Sequence, residues 1–204
     1  MSTRTRRAGI KRTTRETAII VDLSLDGSGR GTVSTGIPFL DHMLTLCAKH
    51  GLFDLTIRAK GDLEIDVHHT NDDVGIALGQ AVAKAIGDKT GLARFGFAYV
   101  PMEEALARVV LDLSGRPLLK MTYPEPMSDG LRQASGGSYT LHDAEHFLES
   151  FVRESRATIH VNILAGDDFH HTWEAVFKAL GRALDAATRR DPRVRGVPST
   201  KGRL

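Results

Sequence analysis

His68-His69-Thr70-Asn71-Asp72 and His170-His171-Thr172-Trp173-Glu174 carry one pattern twice: two adjacent histidines, two spacers and a carboxylate. Each copy has an outlying histidine upstream. His42, in Phe39-Leu40-Asp41-His42, precedes the first pair by 26 residues, and His146, in Ala144-Glu145-His146-Phe147, precedes the second by 24. Six imidazoles and two carboxylates thus recur in one order, which marks the chain as an internal duplication. Imidazole with carboxylate is the donor set for divalent transition metals such as Mn, Fe, Co, Ni and Zn. The repeat therefore bears on fold and chemistry together.

Outward from the first copy, residues 17–25 and 31–35 read as strands around the turn Asp26-Gly27-Ser28-Gly29, a hairpin signal. Pro38 opens a helix running to residue 50, with Leu40, Met43, Leu44 and Cys47 at i, i+3, i+4 and i+7. Residues 52–59 and 63–67 read as a second hairpin about Lys60-Gly61-Asp62, and 72–89 as a long helix stopped near Gly91. The second half replays this order. Strands are expected at 97–102 and 107–113, with a third at 117–122, followed by a Gly-, Ser- and Pro-rich loop over 124–139. A helix over 142–155, a strand over 157–165 and a helix over 172–188 complete it. The regular alternation of a parallel doubly wound fold is missing. The expected fold is α+β: an internally duplicated unit with two sheets of mostly antiparallel strands, each backed by two helices. Residues 1–92 make the first repeat with an N-terminal arm, 93–188 the second, and 189–204 a basic, irregular tail.

Each histidine doublet falls just after a strand and at the start of a helix. In that place His68 and Asp72 are i, i+4, and His69 and Asp72 are i, i+3, so one carboxylate shares a helical face with an imidazole. His170, His171 and Glu174 repeat the geometry. Adjacent histidines point in different directions, so the two of a doublet serve different metals. A single such pair reads most simply as polar residues at a helix start, with Asp72 favoured by the positive helix end. Two copies with matched upstream histidines do not. His50, His142 and His160 lack duplicated partners and stay outside the metal set.

The chain has 204 residues, 41% hydrophobic and 25% charged, the composition of an ordinary globular protein. Its formal net charge of +2 makes no case for nucleic acid, and the basic termini lack an aromatic-interleaved platform. The single cysteine, Cys47, excludes an internal disulfide. No apolar run approaches the roughly 20 residues that cross a bilayer. After the basic start, Ala18-Ile19-Ile20-Val21 stops at Asp22, too short for a secretory apolar segment. A cytoplasmic protein without nucleic-acid or membrane partners is expected.

Four residues suit a phosphate. Arg94 lies in Gly91-Leu92-Ala93-Arg94-Phe95-Gly96 and Arg116 in Leu113-Ser114-Gly115-Arg116-Pro117, while Pro198-Ser199-Thr200-Lys201-Gly202 places a hydroxyl and an ammonium two residues apart. Guanidinium binds phosphate bidentately, and a Ser/Lys pair adds a donor and a point charge. Singly, each is a surface residue in a turn more often than a ligand.

These segments, joined with Arg12-Thr13-Thr14-Arg15-Glu16-Thr17, Asp66-Val67-His68-His69, Pro101-Met102, Glu145-His146-Phe147, Gly166, Lys178 and Val197-Pro198-Ser199-Thr200-Lys201-Gly202, run nearly end to end. The chain so read resembles the imidazoleglycerol-phosphate dehydratase family, which converts D-erythro-imidazole glycerol phosphate to imidazole acetol phosphate and water in histidine biosynthesis. The resemblance implies two divalent ions per active site, Mn2+, with His42, His68, His69, Asp72, His146, His170, His171 and Glu174 as ligands. It implies a homo-oligomer of 24 subunits with active sites built from neighbouring chains. Arg94, Arg116, Ser199 and Lys201 would hold the substrate phosphate, and Glu16 would act as the acid/base group, with Glu174 assisting as a catalytic ligand. One departure stands out. The family has glutamate where this chain has Asp72, a methylene shorter, about 1.5 Å less reach against a tolerance of about 0.2 Å in metal–ligand distances. Glu103 also stands where the family has aspartate.

The expected chemistry follows from the substrate. The departing hydroxyl sits beside an imidazole ring, and the proton lost lies on a carbon that no carbonyl acidifies. Metal at the ring favours imidazolate, which expels the hydroxyl to a diazafulvene, and a carboxylate then removes the carbon-bound proton to give an enol. Two rival readings share the ligand list: a binuclear hydrolase, with metals about 3.5–4 Å apart, and an assembly protein in which metal only joins subunits.

Overall fold

The computed structural model describes residues 6–132 and 139–204. Residues 1–5 of the expected arm and 133–138 of the expected loop lie outside the described residues. The first half runs β1 (Arg7–Thr13), β2 (Thr17–Ser24), β3 (Gly31–Ser34), α1 (Pro38–Gly51), β4 (Asp54–Gly61) and α2 (His68–Ile86). The second runs β5 (Phe95–Met102), β6 (Ala105–Asp112), β7 (Leu118–Thr122), a short α3 (Asp129–Arg132), α4 (Leu141–Ser155), β8 (Thr158–Ala165) and α5 (Phe169–Thr188).

Both sheets have four strands in the same topology, β1-β2-β4-β3 and β5-β6-β8-β7. In each, two neighbouring pairs are antiparallel and the last pair, β3 with β4 or β7 with β8, is parallel. The parallel pair is joined through a helix, as a crossover connection requires. Period-2 burial sets which face turns inward. Ile19, Val21 and Leu23 on β2 and Leu55 and Ile57 on β4 are buried, as are Ala107, Val109 and Leu111 on β6 and Ile159, Val161 and Ile163 on β8.

The four long helices lie between the sheets. α1 and α2 pack on the first sheet and α4 and α5 on the second, while α1 meets α5 and α2 meets α4. One continuous apolar core runs through both halves. The helix pairs approach closely because glycines face backbone. A Cβ on Gly181 of α5 would overlap the Cys47 carbonyl oxygen of α1, and one on Gly79 of α2 would lie 2.6 Å from the Phe151 carbonyl oxygen of α4. Helix starts are set by local chemistry: Pro38 in the first turn of α1, a reciprocal Thr140–Asp143 capping box on α4, and Asp168 accepting from the His171 N–H on α5.

Several expectations are corrected. The turn 26–29 does not close a hairpin between β2 and β3, because β4 inserts between them. Asp54 at the start of β4 holds that turn by accepting from the Ser28 N–H at 2.9 Å and the Arg30 guanidinium at 2.8 Å. Residues 63–67 form no strand, and Ile65 there is 68% exposed. β1 is an additional edge strand, and α3 is a helix within the expected loop. α2 and α5 begin at His68 and Phe169 rather than at 72 and 172, so both doublets lie inside the first helical turn.

Candidate metal centre

Because α1 crosses α5 and α2 crosses α4, each upstream histidine meets the doublet of the other half. His42 on α1 joins His170 and Glu174 on α5, and His146 on α4 joins His68 and Asp72 on α2. Within each triad the possible donor atoms lie within 4.8 Å of one another. Both triads have two imidazoles and one carboxylate, and both draw one residue from one half and two from the other.

The two are not equally tight. Glu174 Oε1 lies 2.9 Å from His42 Nε2 and 3.0 Å from His170 Nε2, with the Lys178 ammonium donating to Oε2 at 2.5 Å. Burial pushes this carboxyl up, but the hydrogen bonds from Lys178, His42 and His170 outweigh it and hold it at about 2. Asp72 is looser: Oδ2 is 3.7 Å from His68 Nε2 and Oδ1 is 4.0 Å from His146 Nδ1. Burial, partly offset by His68 and His146, raises its carboxyl above the ordinary value. Asp72 Oδ1 is buried without a hydrogen-bond partner among the described residues. An unpaired buried acceptor is costly, and a cation between Asp72, His68 and His146 would satisfy it. The donor set and this orphaned oxygen fit a divalent transition metal. His142, outside the expected set, packs against His146 one helical turn away, with ring centroids 4.0 Å apart and planes tilted by 58°.

The second histidine of each doublet joins neither triad. His69 Nδ1 lies 2.9 Å from Asp62 Oδ2 and 3.9 Å from Glu16 Oε2. His171 Nδ1 lies 2.9 Å from Glu104 Oε2. The hydrogen bond to Asp62 raises the His69 pKa, and that to Glu104 raises the His171 pKa while holding Glu104 at about 2. The turn carrying Glu16 is anchored to α2: Arg12 bonds Asp73 at 2.8 Å and Thr17 also donates to Asp73, while Thr14 Oγ1 accepts from the N–H groups of Glu16 and Thr17. Glu16 itself is half exposed beside His69.

Of the anion candidates, Arg94 is already committed. Its guanidinium grips Asp112 bidentately at 2.7 and 2.9 Å and donates to the Pro198 carbonyl at 2.7 Å. It thereby fastens the tail bearing Ser199 and Lys201, whose backbone turns on Ser199 Oγ. The tail end reaches the Gly115–Arg116 turn, where a Cβ on Gly115 would lie 2.9 Å from Leu204. Among the described residues, Arg116 and Lys201 have side chains free of hydrogen bonds and ion pairs. The fold thus gathers Arg94, Arg116, Ser199 and Lys201 around one tail.

Asp62, Glu104 and His142 were not legible as site residues. Asp62 reads as a turn residue after Gly61, Glu104 carries no signal beyond standing between two expected strands, and His142 has no repeat partner. Lys178 carried a motif match but no role until its contact with Glu174 is seen. The class that fold and site define is a duplicated α+β protein with three histidine–carboxylate clusters of metal-ligating type, the two cross-half triads and a more exposed group of Glu103, Glu104 and His171.

Comparison with known proteins narrows this class. Residues 35–184 match the family described as imidazoleglycerol-phosphate dehydratase. The chain is 54% identical over 199 residues to the imidazoleglycerol-phosphate dehydratase of Thermoanaerobacter pseudethanolicus, covering 98% of this chain and 100% of that one. It is 53% identical over 200 residues to that of Kineococcus radiotolerans, covering 98% and 99%. The crystal structure of the Staphylococcus aureus imidazoleglycerol-phosphate dehydratase aligns with a TM-score of 0.77 at 36% identity, over 91% of this chain and 99% of that one. IGPD from Pyrococcus furiosus aligns with a TM-score of 0.80 at 37% identity, over 96% and 100%. The chain belongs to the imidazoleglycerol-phosphate dehydratase family.

Proposed function

We propose that the chain is a cytoplasmic hydro-lyase of histidine biosynthesis that converts D-erythro-imidazole glycerol phosphate to imidazole acetol phosphate and water. Two divalent ions, Mn2+, serve each active site, held by the triads His42/His170/Glu174 and His68/His146/Asp72 with His69 and His171. The observation that carries this reading is the pair of cross-half triads, each of two imidazoles and a carboxylate. Divalent ions held there would supply Lewis-acid polarisation of the substrate's imidazole, favouring the ring form from which the neighbouring hydroxyl departs.

The chain's own groups do the rest. Glu16 has a side chain free of hydrogen bonds among the described residues, held over α2 by the Arg12–Asp73–Thr17 anchor. It removes the proton from the carbon adjacent to the one that loses its hydroxyl, this proton and the released hydroxide leave as water, and the resulting enol tautomerises to the ketone. Arg116, Ser199 and Lys201 grip the phosphate, and Arg94 fixes the tail that presents two of them. Glu174, already ionised at about 2, keeps its charge throughout.

Three protein donors per triad leave coordination positions open, and His69 and His171 stand outside their own chain's triads. Both features favour sites completed by neighbouring copies in a homo-oligomer, for which we propose 24 subunits. The outward face of β5 supports this, with Phe95, Phe97 and Tyr99 at 60%, 68% and 53% exposure in one row. A binuclear hydrolase, with its closely bridged metals, is disfavoured by triads seated on separate helix pairs.

The test is turnover by the full chain loaded with Mn2+, read as the enolised ketone at high pH. Product that disappears with chelator and returns with Mn2+ is expected; a metal-loaded chain that forms none overturns the proposal. Glu16→Gln should lower kcat by about 10²–10⁴ with metal content unchanged. Turnover near that of the parent would remove Glu16 from the mechanism.

A further inference from the structure

We propose that Asp62 and Glu104 are positioning residues for His69 and His171, and that Asp62 thereby keeps Glu16 free for proton transfer. The inference rests on the dehydratase reading above and goes beyond its ligand set. Each residue has its carboxylate 2.9 Å from the Nδ1 of its histidine. A carboxylate at Nδ1 fixes the Nδ1–H tautomer and leaves Nε2 as an unprotonated lone pair, the form a metal takes. Both second histidines are therefore set as outward ligands before any metal arrives.

The duplication shows why two different loops do this work. Glu16 immediately precedes β2, and Glu104 immediately precedes β6, so the two occupy equivalent places in the repeat. Glu104 grips His171, yet Glu16 stops 3.9 Å short of His69. Asp62, which directly follows β4, has taken that contact instead. Its equivalent after β8, in the Gly166-Asp167 step, leaves His171 to Glu104. One half thus spends its hairpin glutamate on holding a ligand. The other half substitutes an aspartate from a different turn, and the side chain of its hairpin glutamate has no hydrogen bond among the described residues.

The experiment compares Asp62→Ala and Glu104→Ala with the parent in the full chain, measuring Mn2+ affinity by titration with the metal alone and kcat at saturating Mn2+. Both variants should bind Mn2+ about 10–100-fold more weakly. At saturating Mn2+, Glu104→Ala should regain parental kcat, while Asp62→Ala should remain slow because His69 is then free to pair with Glu16. A measurement independent of variant folding is the 15N imidazole spectrum of the metal-free parent, recorded at a pH above the raised pKa of both rings, in which His69 and His171 should both show the Nδ1–H tautomer. Parental Mn2+ affinity in both variants, equal kcat recovery in both, or Nε2–H tautomers in the parent would each overturn the proposal. A parent that binds Mn2+ but does not turn over would instead count against the dehydratase reading.

Discussion

Lengthening the short ligand, Asp72→Glu, measures how unequal the two triads are. The imidazole–carboxylate separations are 3.7 and 4.0 Å at Asp72 against 3.0 and 2.9 Å at Glu174, a shortfall of 0.7 and 1.1 Å. Two donors at about 2.0–2.1 Å from one tetrahedral ion lie about 3.3–3.4 Å apart, so Asp72 at 3.7 and 4.0 Å must move inward by a few tenths of an ångström to share an ion with His68 and His146. Helix α2 fixes the Asp72 Cα, since Asp73 beside it is held by Arg12 and Thr17 and Asn71 by Tyr139 and Asp143. The added methylene supplies about 1.5 Å, enough to close the gap. A carboxylate that reaches its ion only through a water behaves as an outer-shell partner, whose loss or gain is worth about 10–100-fold in affinity, or about 1.4–2.8 kcal/mol. The assay is metal counting per chain after equilibration with graded chelator. The parent should lose one ion well before the other, and Asp72→Glu should move the weaker ion's midpoint by about 10–100-fold. Two ions leaving together in the parent, with no shift in the variant, would refute the argument. Lys178 works in the opposite direction by neutralising part of Glu174, and the geometry here outweighs it because Oε1 remains open to both imidazoles.

Arg116→Ala should raise KM strongly and lower kcat as well, because phosphate binding positions the reacting carbon; steady-state kinetics at saturating Mn2+ check it, and an unchanged KM would contradict it. Gly181→Ala should lower stability by about 1–3 kcal/mol in denaturant titration, since its Cβ meets α1 backbone at Cys47 and Gly51, with metal chemistry untouched once folded. Cys47 is fully buried, which pushes its thiol from 9.0 up to about 12. The folded state therefore favours the neutral thiol: this contribution is fully present below pH 9 and is lost at up to about 1.4 kcal/mol per unit as pH rises toward 12. Replacing Cys47 with Ala should flatten the stability curve in that window, as thermal melts would show.

Much of the fold was legible because its signals are local. Pro38 and the i, i+3, i+4, i+7 row marked α1, and the strand cores of β2, β6 and β8 alternate as half-buried strands do. Partners of strands are not local. The turn at 26–29 gave the right chain reversal, but nothing in it shows that β4 will slide between β2 and β3. Leu63-Glu64-Ile65-Asp66-Val67 alternates well and still forms no strand, and Ile65 lies exposed in the turn leading into α2. β1 was hidden for the opposite reason: as an edge strand it buries little beyond Ala8, so its basic residues mask the pattern. The metal ligands were visible as residue types because they are duplicated. Their grouping was not: chain order sets His42 beside the first doublet, whereas the α1–α5 and α2–α4 crossings hand each upstream histidine to the other half. Asp62 and Glu104 could be found only from distances.

The central claim is that each chain builds two metal positions from side chains of opposite halves. Anomalous diffraction at the manganese edge from metal-soaked crystals tests it most directly. Two peaks per chain are predicted, one about 2.0–2.2 Å from His42, His170 and Glu174 and a weaker one against His68 and His146. Peaks absent from both triads, or a single ion lying elsewhere on the chain, would contradict the account.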